Sequence, residues 1–574
     1  MTGDPTGPRK QPAAASRWLG RPALVLGVAS GLAVLLTLGG PGLTIDEPLD
    51  VRPGRTYVAT LRAEGLGFFS RGVVTRVFRD NAEHPPLGRW LLGIASTAGE
   101  PLEVLIRGVD PTGIYVHSGR LAPALAFAAL VAAVAAEARR RWGLAAGYAA
   151  GGSLALMPRA FAHAHLGALD TFLALFWTLA LLAGARALEK GGVGRSAAAG
   201  LVWGLGLLTK LHAWLLWPLM AGWAAYRLGR RAPAGLAAWT AAGVAAFLAG
   251  WPWLWYDTAA RWGAYWWTSV ARTPIMVEYF GRVVADRDVP WHYPWFYFAA
   301  TVPVGLQLLG LAGLARGWKG RGEDPFPMLL AASIGLFLLL FSTRVPVYDG
   351  ERLFLHVFPA WALLIGLGFA GLWGWAGGEG GGGPRGGRLR AATAPAGAQP
   401  VAARRRLLRR SSLVAFLAVQ GAGTLGVHPF GLSYYNLLVG GLPGAERLGL
   451  ELTYWGDAVD RVLLDRLAAD AGPGERAAIA PTLYPSQGIV TTTAALLKRK
   501  IVLADEDAAA TAEWVAVSRR RAYWKPDLAA RLAGGRGRLV LARSRQGVWL
   551  SALWHFPPPA PGTPPAPPPA PSPR

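Results

Sequence analysis

The sequence has no cysteine among its 574 residues. Disulfides, thiolate zinc sites and cysteine-held iron–sulfur clusters are therefore excluded, although that absence does not identify a compartment. Charge is scarce as well. Only 16% of residues are Asp, Glu, Lys or Arg, where a soluble globular protein carries about a quarter. The acidic residues are the scarcer sign, 34 against 58 basic, for a net charge of +24. No basic-aromatic reading module accompanies that charge, so it does not point to nucleic acid. No small-x-small cleavage site follows the first apolar run, which reads as a retained helix rather than a removed signal peptide. No internal repeat of the kind common in transporters is visible.

What is present is apolar. Hydrophobic residues make up 52% of the chain, and mean hydropathy is +0.30. They fall in runs close to the ~20 residues that cross a bilayer. The expected fold is an all-α polytopic membrane protein of about eleven transmembrane helices, near residues 22–40, 118–137, 143–158, 168–188, 196–209, 211–228, 235–255, 293–314, 326–343, 353–375 and 411–427. Basic clusters set its orientation. Arg139 to Arg141, Arg186 and Lys190, Arg227 with Arg230 and Arg231, Arg316 with Lys319 and Arg321, and "ARRRLLRR" all fall on the side of the N-terminus. Under the positive-inside rule that side is cytoplasmic, giving N-in and C-out.

The expected domains are a cytoplasmic segment 1–21, a transmembrane domain 22–427, an extracytoplasmic α/β domain 428–556 and a Pro-rich tail 557–574. The transmembrane domain contains an outer loop 41–117 and a Gly-rich cytoplasmic linker 376–410. Five β-like runs ("RAAIAPTLY", "RKIVLAD", "EWVAVS", "GRLVLARS" and "GVWLSALWHF") suggest the small α/β domain. The stretch "GFFSRGVVTRVFRDN" reads either as a helix lying in the membrane interface or as a surface helix covering the bundle.

With this topology the ionisable residues that do not serve orientation gather at outer helix ends. They are Asp46 and Glu47 ("TIDEP"), Glu83, His84 and Arg89 ("EHPPLGR"), Arg159, His163, His165 and Asp170, Lys210 and His212, His292, and Arg344, Asp349, Glu351 and Arg352 ("TRVPVYDGERLFL"). Ionisable groups at membrane depth cost about 2.5–3.5 kcal/mol each on insertion scales and are rarely idle. A catalytic site at the outer face is the economical reading.

"TIDEP" followed by "EHPPLGRWLLG" resembles the first outer loop of glycosyltransferase family 39 in the GT-C superfamily, which includes dolichyl-phosphate-mannose protein mannosyltransferases. "HAHLGALDTFLALFW", "GLLTK", "ERLFLHVFP" and the segment from His428 to Val459 fit its bacterial branch. Arg89 stands where the mannosyltransferases have Lys, which keeps the charge but changes the contact geometry. The resemblance implies a membrane hexosyltransferase that moves mannose or a similar hexose from a polyprenyl-phosphate donor to a hydroxyl of a protein or envelope-glycan acceptor, by a single inverting displacement. It implies Asp46 and Glu47 as the catalytic pair and Asp170 as the second acidic position. His84, Arg89, Lys210 and Arg352 are the candidate donor-phosphate contacts. A divalent cation (Mg, Mn or Zn) is a candidate cofactor, with Asp46 and Asp170 as ligands. Because a phosphate already leaves well, one base with cationic stabilisation suffices, whereas glycosidases need two carboxylates. The bland alternative for Asp170 is a helix N-cap, and for the cations snorkelling to lipid headgroups. The expected location is a bacterial inner membrane with the site facing the periplasm or exterior. Two other functions fit the pattern: a lipid-modifying aminoarabinose-type transferase, and a transporter or flippase of lipid-linked sugar.

Overall fold

The structure is a computed structural model, and it describes residues 21–79, 84–271, 273–377, 399–481, 494–504 and 506–557. Glu83, residues 1–20, the Gly-rich part of the linker and the Pro-rich tail beyond 557 lie outside the described residues. The chain is mostly helical with a few strands. Its principal helices are α1 (Pro22–Thr37), α2 (Asp46–Glu64), α3 (Arg71–Phe78), α4 (Leu87–Arg107), α5 (Leu121–Trp142), α6 (Leu144–Leu156), α7 (Asp170–Lys190), α8 (Val193–Leu207), α9 (Leu216–Leu228), α10 (Ala232–Gly250), α11 (Thr258–Val270), α12 (Tyr293–Thr301), α13 (Val304–Lys319), α14 (Phe326–Leu340), α15 (Phe358–Ala376), α16 (Gln399–Val419) and α17 (Arg461–Asp470).

Each of the eleven apolar runs contains helix, but length divides them. Among the described residues four stretches are long and apolar enough to cross a membrane: Val116–Trp142, Asp170–Lys190, Leu211–Gly250 and Arg352–Ala376. A fifth is counted if α12 and α13, bent by 112° at their break, form one span. On that count the chain is read as an integral membrane protein. The bend replaces the single helix expected over 293–314. Pro303 sits at the break, where it removes a backbone donor and disfavours helix in the residue before it.

At one end of the bundle the basic clusters do more than orient the chain. Glu137 is fully buried near the end of α5, and it accepts from Arg140 at 2.6 Å, from Arg141 at 2.6 Å and from Arg186 of α7. Arg141 also reaches Glu189 at 3.1 Å and Asp324 at 3.5 Å, tying α5, α7 and the turn before α14 together. At the other end, α3 packs Val73, Val74 and Phe78 inward, with the Phe78 ring 4.7 Å from that of Tyr57. Its arginines pair outward, Arg71 with Asp257 and Arg76 with Glu64 at 2.7 Å each. This favours a helix covering the bundle over one lying in lipid.

A hairpin that the apolar runs did not announce joins β1 (Met276–Tyr279) to β2 (Arg282–Ala285) through Phe280 and Gly281, both at positive φ. Two central residues at positive φ match the right-handed twist of paired strands. The last part of the chain forms a five-stranded sheet from β3 (Arg476–Ala480), β4 (Val502–Ala504), β5 (Trp514–Ser518), β6 (Arg538–Arg545) and β7 (Val548–His555), in the order β4-β3-β5-β7-β6. The first three strands pair parallel, and β7 runs antiparallel to β5 and β6. Four of the strands lie within the β-like runs, and β6 extends one residue beyond its run, to Arg545. Helix α17, capped by the Asp460 side chain on the Leu463 N–H, buries Leu463 and Leu467 against one face of this sheet.

Candidate active site

Three helix starts and two connecting segments converge on one place. The first turn of α2 supplies Asp46, Glu47 and Asp50, and the start of α4 supplies Arg89. The first residue of α7 is Asp170, and Lys210 follows α8. The turn before α15 carries Asp349, Gly350 and Arg352, with both Asp349 and Gly350 at positive φ. A glycine pair brings α2 and α4 together. A Cβ on Gly54 would lie 2.0 Å from the Arg89 carbonyl oxygen, and one on Gly93 would lie 2.1 Å from the Gly54 carbonyl. Only glycine at both positions permits that approach, and it sets Arg89 against Asp50.

Arg352 is the hub. Its guanidinium ion-pairs with Asp46, donates to Asp349 at 2.9 Å and reaches Asp170 at 3.5 Å. Asp170 is held from its other side by the Lys210 ammonium at 2.6 Å. Asp349 also accepts from Arg520, beyond β5, at 3.0 Å. Three carboxylates thus face three cations, nearly all buried. Asp46 is the most open, with 29% of its side chain exposed. Leu169, rather than Asp170, occupies the cap position of α7, and no side chain caps the helix. The Asp170 carboxylate points to Lys210 and Arg352 instead, so the N-cap explanation does not account for it.

The adjacent Asp46 and Glu47 have different surroundings. Glu47 is fully buried and accepts two hydrogen bonds from Arg120 at 2.6 and 2.7 Å, one from the Thr44 N–H at 2.8 Å and one from the Gly167 N–H at 2.7 Å. Burial alone would raise its carboxyl, but Arg120 and these N–H groups bring it below the usual value. Its two carboxylate oxygens thus accept four hydrogen bonds, whereas Asp46 beside it is partly exposed.

Arg89, expected at the donor phosphate, is buried and donates to Asp50 at 3.0 Å and to the His84 carbonyl at 3.3 Å. Burial pushes Asp50 up to about 6, against the opposing pull of Arg89. The His84 Nδ1 is buried without a partner. Burial, then the Arg89 and Lys210 charges, hold its imidazole well below the ordinary range, so the ring is neutral. Arg344, in contrast, is exposed and stands outside this group.

The donor set does not fit a resident metal ion. Asp46 and Asp170 are each already balanced by a cation, and among the described residues no three His, Asp or Glu side chains are grouped to hold one. His165 is committed to Thr37 and to the Phe161 carbonyl, both at 2.8 Å. His163 has neither nitrogen partnered and is pushed down to about 3, chiefly by burial.

Residues 83–256, which carry Arg89, Asp170 and Lys210, match the model of a family described as dolichyl-phosphate-mannose-protein mannosyltransferase. No curated protein matches the chain. Two solved structures of ArnT from Cupriavidus metallidurans, one in the apo state and one bound to undecaprenyl phosphate, are similar at 18% identity and a TM-score of 0.49, covering 94% of this chain and 98% of theirs.

Several residues at the site were not singled out from the sequence. Asp50 had a signal, since it lies four residues after Asp46 on the same helical face. Arg120, Arg520 and Trp455 had none that a single sequence displays. Each reaches the site only through tertiary contacts with residues far away in the chain.

Proposed function

We propose that this protein is a membrane glycosyltransferase that moves a sugar from a polyprenyl-phosphate donor to an acceptor hydroxyl at the outer face. The observation that carries this reading is the Asp46–Arg352–Asp170–Lys210 array, in which one partly open carboxylate shares a guanidinium with the place where a phosphate can be held. Asp46 takes the acceptor's proton. The acceptor oxygen then attacks the anomeric carbon while the bond from that carbon to the phosphate oxygen breaks, with inversion. The departing phosphate gains a second negative charge, just as Asp46 loses its own. Arg352 is thereby released from Asp46 towards the phosphate, and Lys210 supports the same charge. Preorganised cations of this kind act on the transition state more than on the ground state. Glu47 and Arg120 hold the loop that presents Asp46, and neutral His84 offers an uncharged nitrogen beside the cations.

The expected sugar is mannose or a similar hexose, and the acceptor is a protein or envelope-glycan hydroxyl. A lipid acceptor with an aminoarabinose donor is the competing outcome. The test incubates purified protein with radiolabelled polyprenyl-phosphate mannose, glucose and aminoarabinose, offering peptide, lipid and water as acceptors. Label transfer or slow donor hydrolysis that disappears in Asp46→Asn supports the enzyme and names the sugar. Vectorial movement of a donor without turnover would instead establish a transporter. Arg352→Lys keeps the charge but not the fork that meets three carboxylates, so its kcat should fall by about 10-fold or more. Unchanged kinetics would remove Arg352 from the site.

A further inference from the structure

The segment from His428 to Val459 lies over the array just described, although no part of the mechanism above uses it. Trp455 is its point of contact. The Arg352 guanidinium carbon stands 3.8 Å from the centre of the Trp455 ring, and the His163 ring is 5.4 Å away. The backbone fixes this placement from both sides. The Ile45 N–H, immediately before Asp46, donates to the Trp455 carbonyl at 3.1 Å, and the Gly42 N–H donates to that of Asp457 at 2.7 Å. Trp455 is therefore tied to the loop that carries Asp46 while it lies against the cation that pairs with Asp46. Arg520 donates to the carbonyl of Tyr454, next in the chain, and so locks the segment to the C-terminal sheet as well.

The indole is 1% exposed, yet among the described residues its Nε1–H has no acceptor. Indole nitrogen can only donate, and a buried donor without an acceptor lowers stability. Other tryptophans in the bundle share that orphaned donor, but Trp455 is the one stacked on a cation of the site. An anionic oxygen brought to Arg352 meets a guanidinium that lies on the face of this ring.

We propose that Trp455 is part of the donor site, its ring face holding Arg352 and its indole N–H donating to the phosphate oxygen that Arg352 meets. This rests on the polyprenyl-phosphate chemistry proposed above. A guanidinium stacked on an aromatic face is restricted in plane and direction. The added N–H supplies a hydrogen bond from a group that carries no charge and needs no counterion of its own.

The test measures binding of sugar-free undecaprenyl phosphate to the full chain in nanodiscs, for the native protein, Trp455→Phe and Trp455→Ala, together with unliganded thermal unfolding. Trp455→Phe keeps one aromatic ring face and removes the N–H together with part of the indole. It should bind about 10-fold more weakly, as expected for losing a hydrogen bond to a charged group. Its unliganded midpoint should stay close to the native one, because loss of the orphaned donor offsets part of the packing lost with the smaller ring. Trp455→Ala should bind more weakly again, and combined with Arg352→Lys its effect should be less than additive, since the two residues act through one contact. Trp455→Phe binding as tightly as the native protein would overturn the inference, even if Trp455→Ala fails to fold. Absence of undecaprenyl phosphate binding by the native protein would instead overturn the donor chemistry itself.

Discussion

Replacing Asp46 by Asn and, separately, Glu47 by Gln should produce opposite defects. Glu47→Gln leaves the Arg120 guanidinium fully buried without a counterion, and it turns an amide NH2 towards donors that now meet a carboxylate oxygen. Breaking a buried ion pair from one side costs about 3–5 kcal/mol. Arg120 keeps three carbonyl acceptors, from Leu38, Pro41 and Gly42 at 3.2, 3.0 and 2.7 Å, which places the expected loss near the low end, about 3 kcal/mol. Asp46→Asn removes a carboxylate that is 29% exposed and leaves Arg352 with Asp349 and Asp170, so stability should change by about 1 kcal/mol or less. Its turnover should fall about 100-fold or more, the usual contribution of a general base. The assay is unfolding in detergent paired with donor turnover per folded molecule. A Glu47→Gln protein that is as stable as the native one but inactive would place Glu47 in the chemistry. An Asp46→Asn protein that turns over normally would remove Asp46 as the base.

Three other substitutions report on separate parts of the structure. Asp457 is buried with neither carboxylate oxygen hydrogen-bonded, and burial pushes it up to about 7. A carboxyl raised in the folded state stabilises below its unfolded pKa and loses that contribution as pH rises through the folded value. Unfolding midpoints should therefore drop between about pH 4, where the unfolded carboxyl ionises, and about pH 7, where the folded one does, and Asp457→Asn should flatten that slope; an unchanged slope refutes the assignment. Glu137→Gln removes the single acceptor shared by Arg140, Arg141 and Arg186 and should cost about 3 kcal/mol of stability without changing turnover per folded molecule. Gly93→Ala puts a Cβ 2.1 Å from the Gly54 carbonyl, so α2 and α4 must separate. It should reduce both folded yield and activity, and a normally active, stable variant would show that the approach of these helices is dispensable.

The sequence made the helices legible because a membrane-spanning helix must be apolar along most of its length, and a run of apolar residues is visible in one dimension. The bend between α12 and α13 and the β1–β2 hairpin were harder to see. The first depends on how Pro303 resolves a tertiary conflict, and the second on a two-residue turn at Phe280 and Gly281 inside an otherwise unremarked loop. The strands of the C-terminal sheet were visible as alternating or β-branched runs, but their order was not, since β6 and β7 exchange positions relative to the chain.

At the site, residue type was legible and partnership was not. "DE" displays two adjacent carboxylates and cannot show that one is sealed while the other stays open. That difference comes from partners distant in the chain: Arg120 lies 73 residues from Glu47, and Arg352 lies 306 residues from Asp46. The same holds for the cations. Arg89, Lys210 and Arg352 looked equivalent as outer-face positive charges. In the structure Arg89 answers Asp50, whereas Lys210 and Arg352 share Asp170. Only the second arrangement can change its charge balance when Asp46 takes up a proton, because Arg352 alone is paired with Asp46. A phosphate contact that works by exchange of partners requires a cation whose counterion can be neutralised during the reaction. By that criterion the transfer proposed above would draw on Arg352, with Lys210 in support, whereas Arg89 stays paired with Asp50.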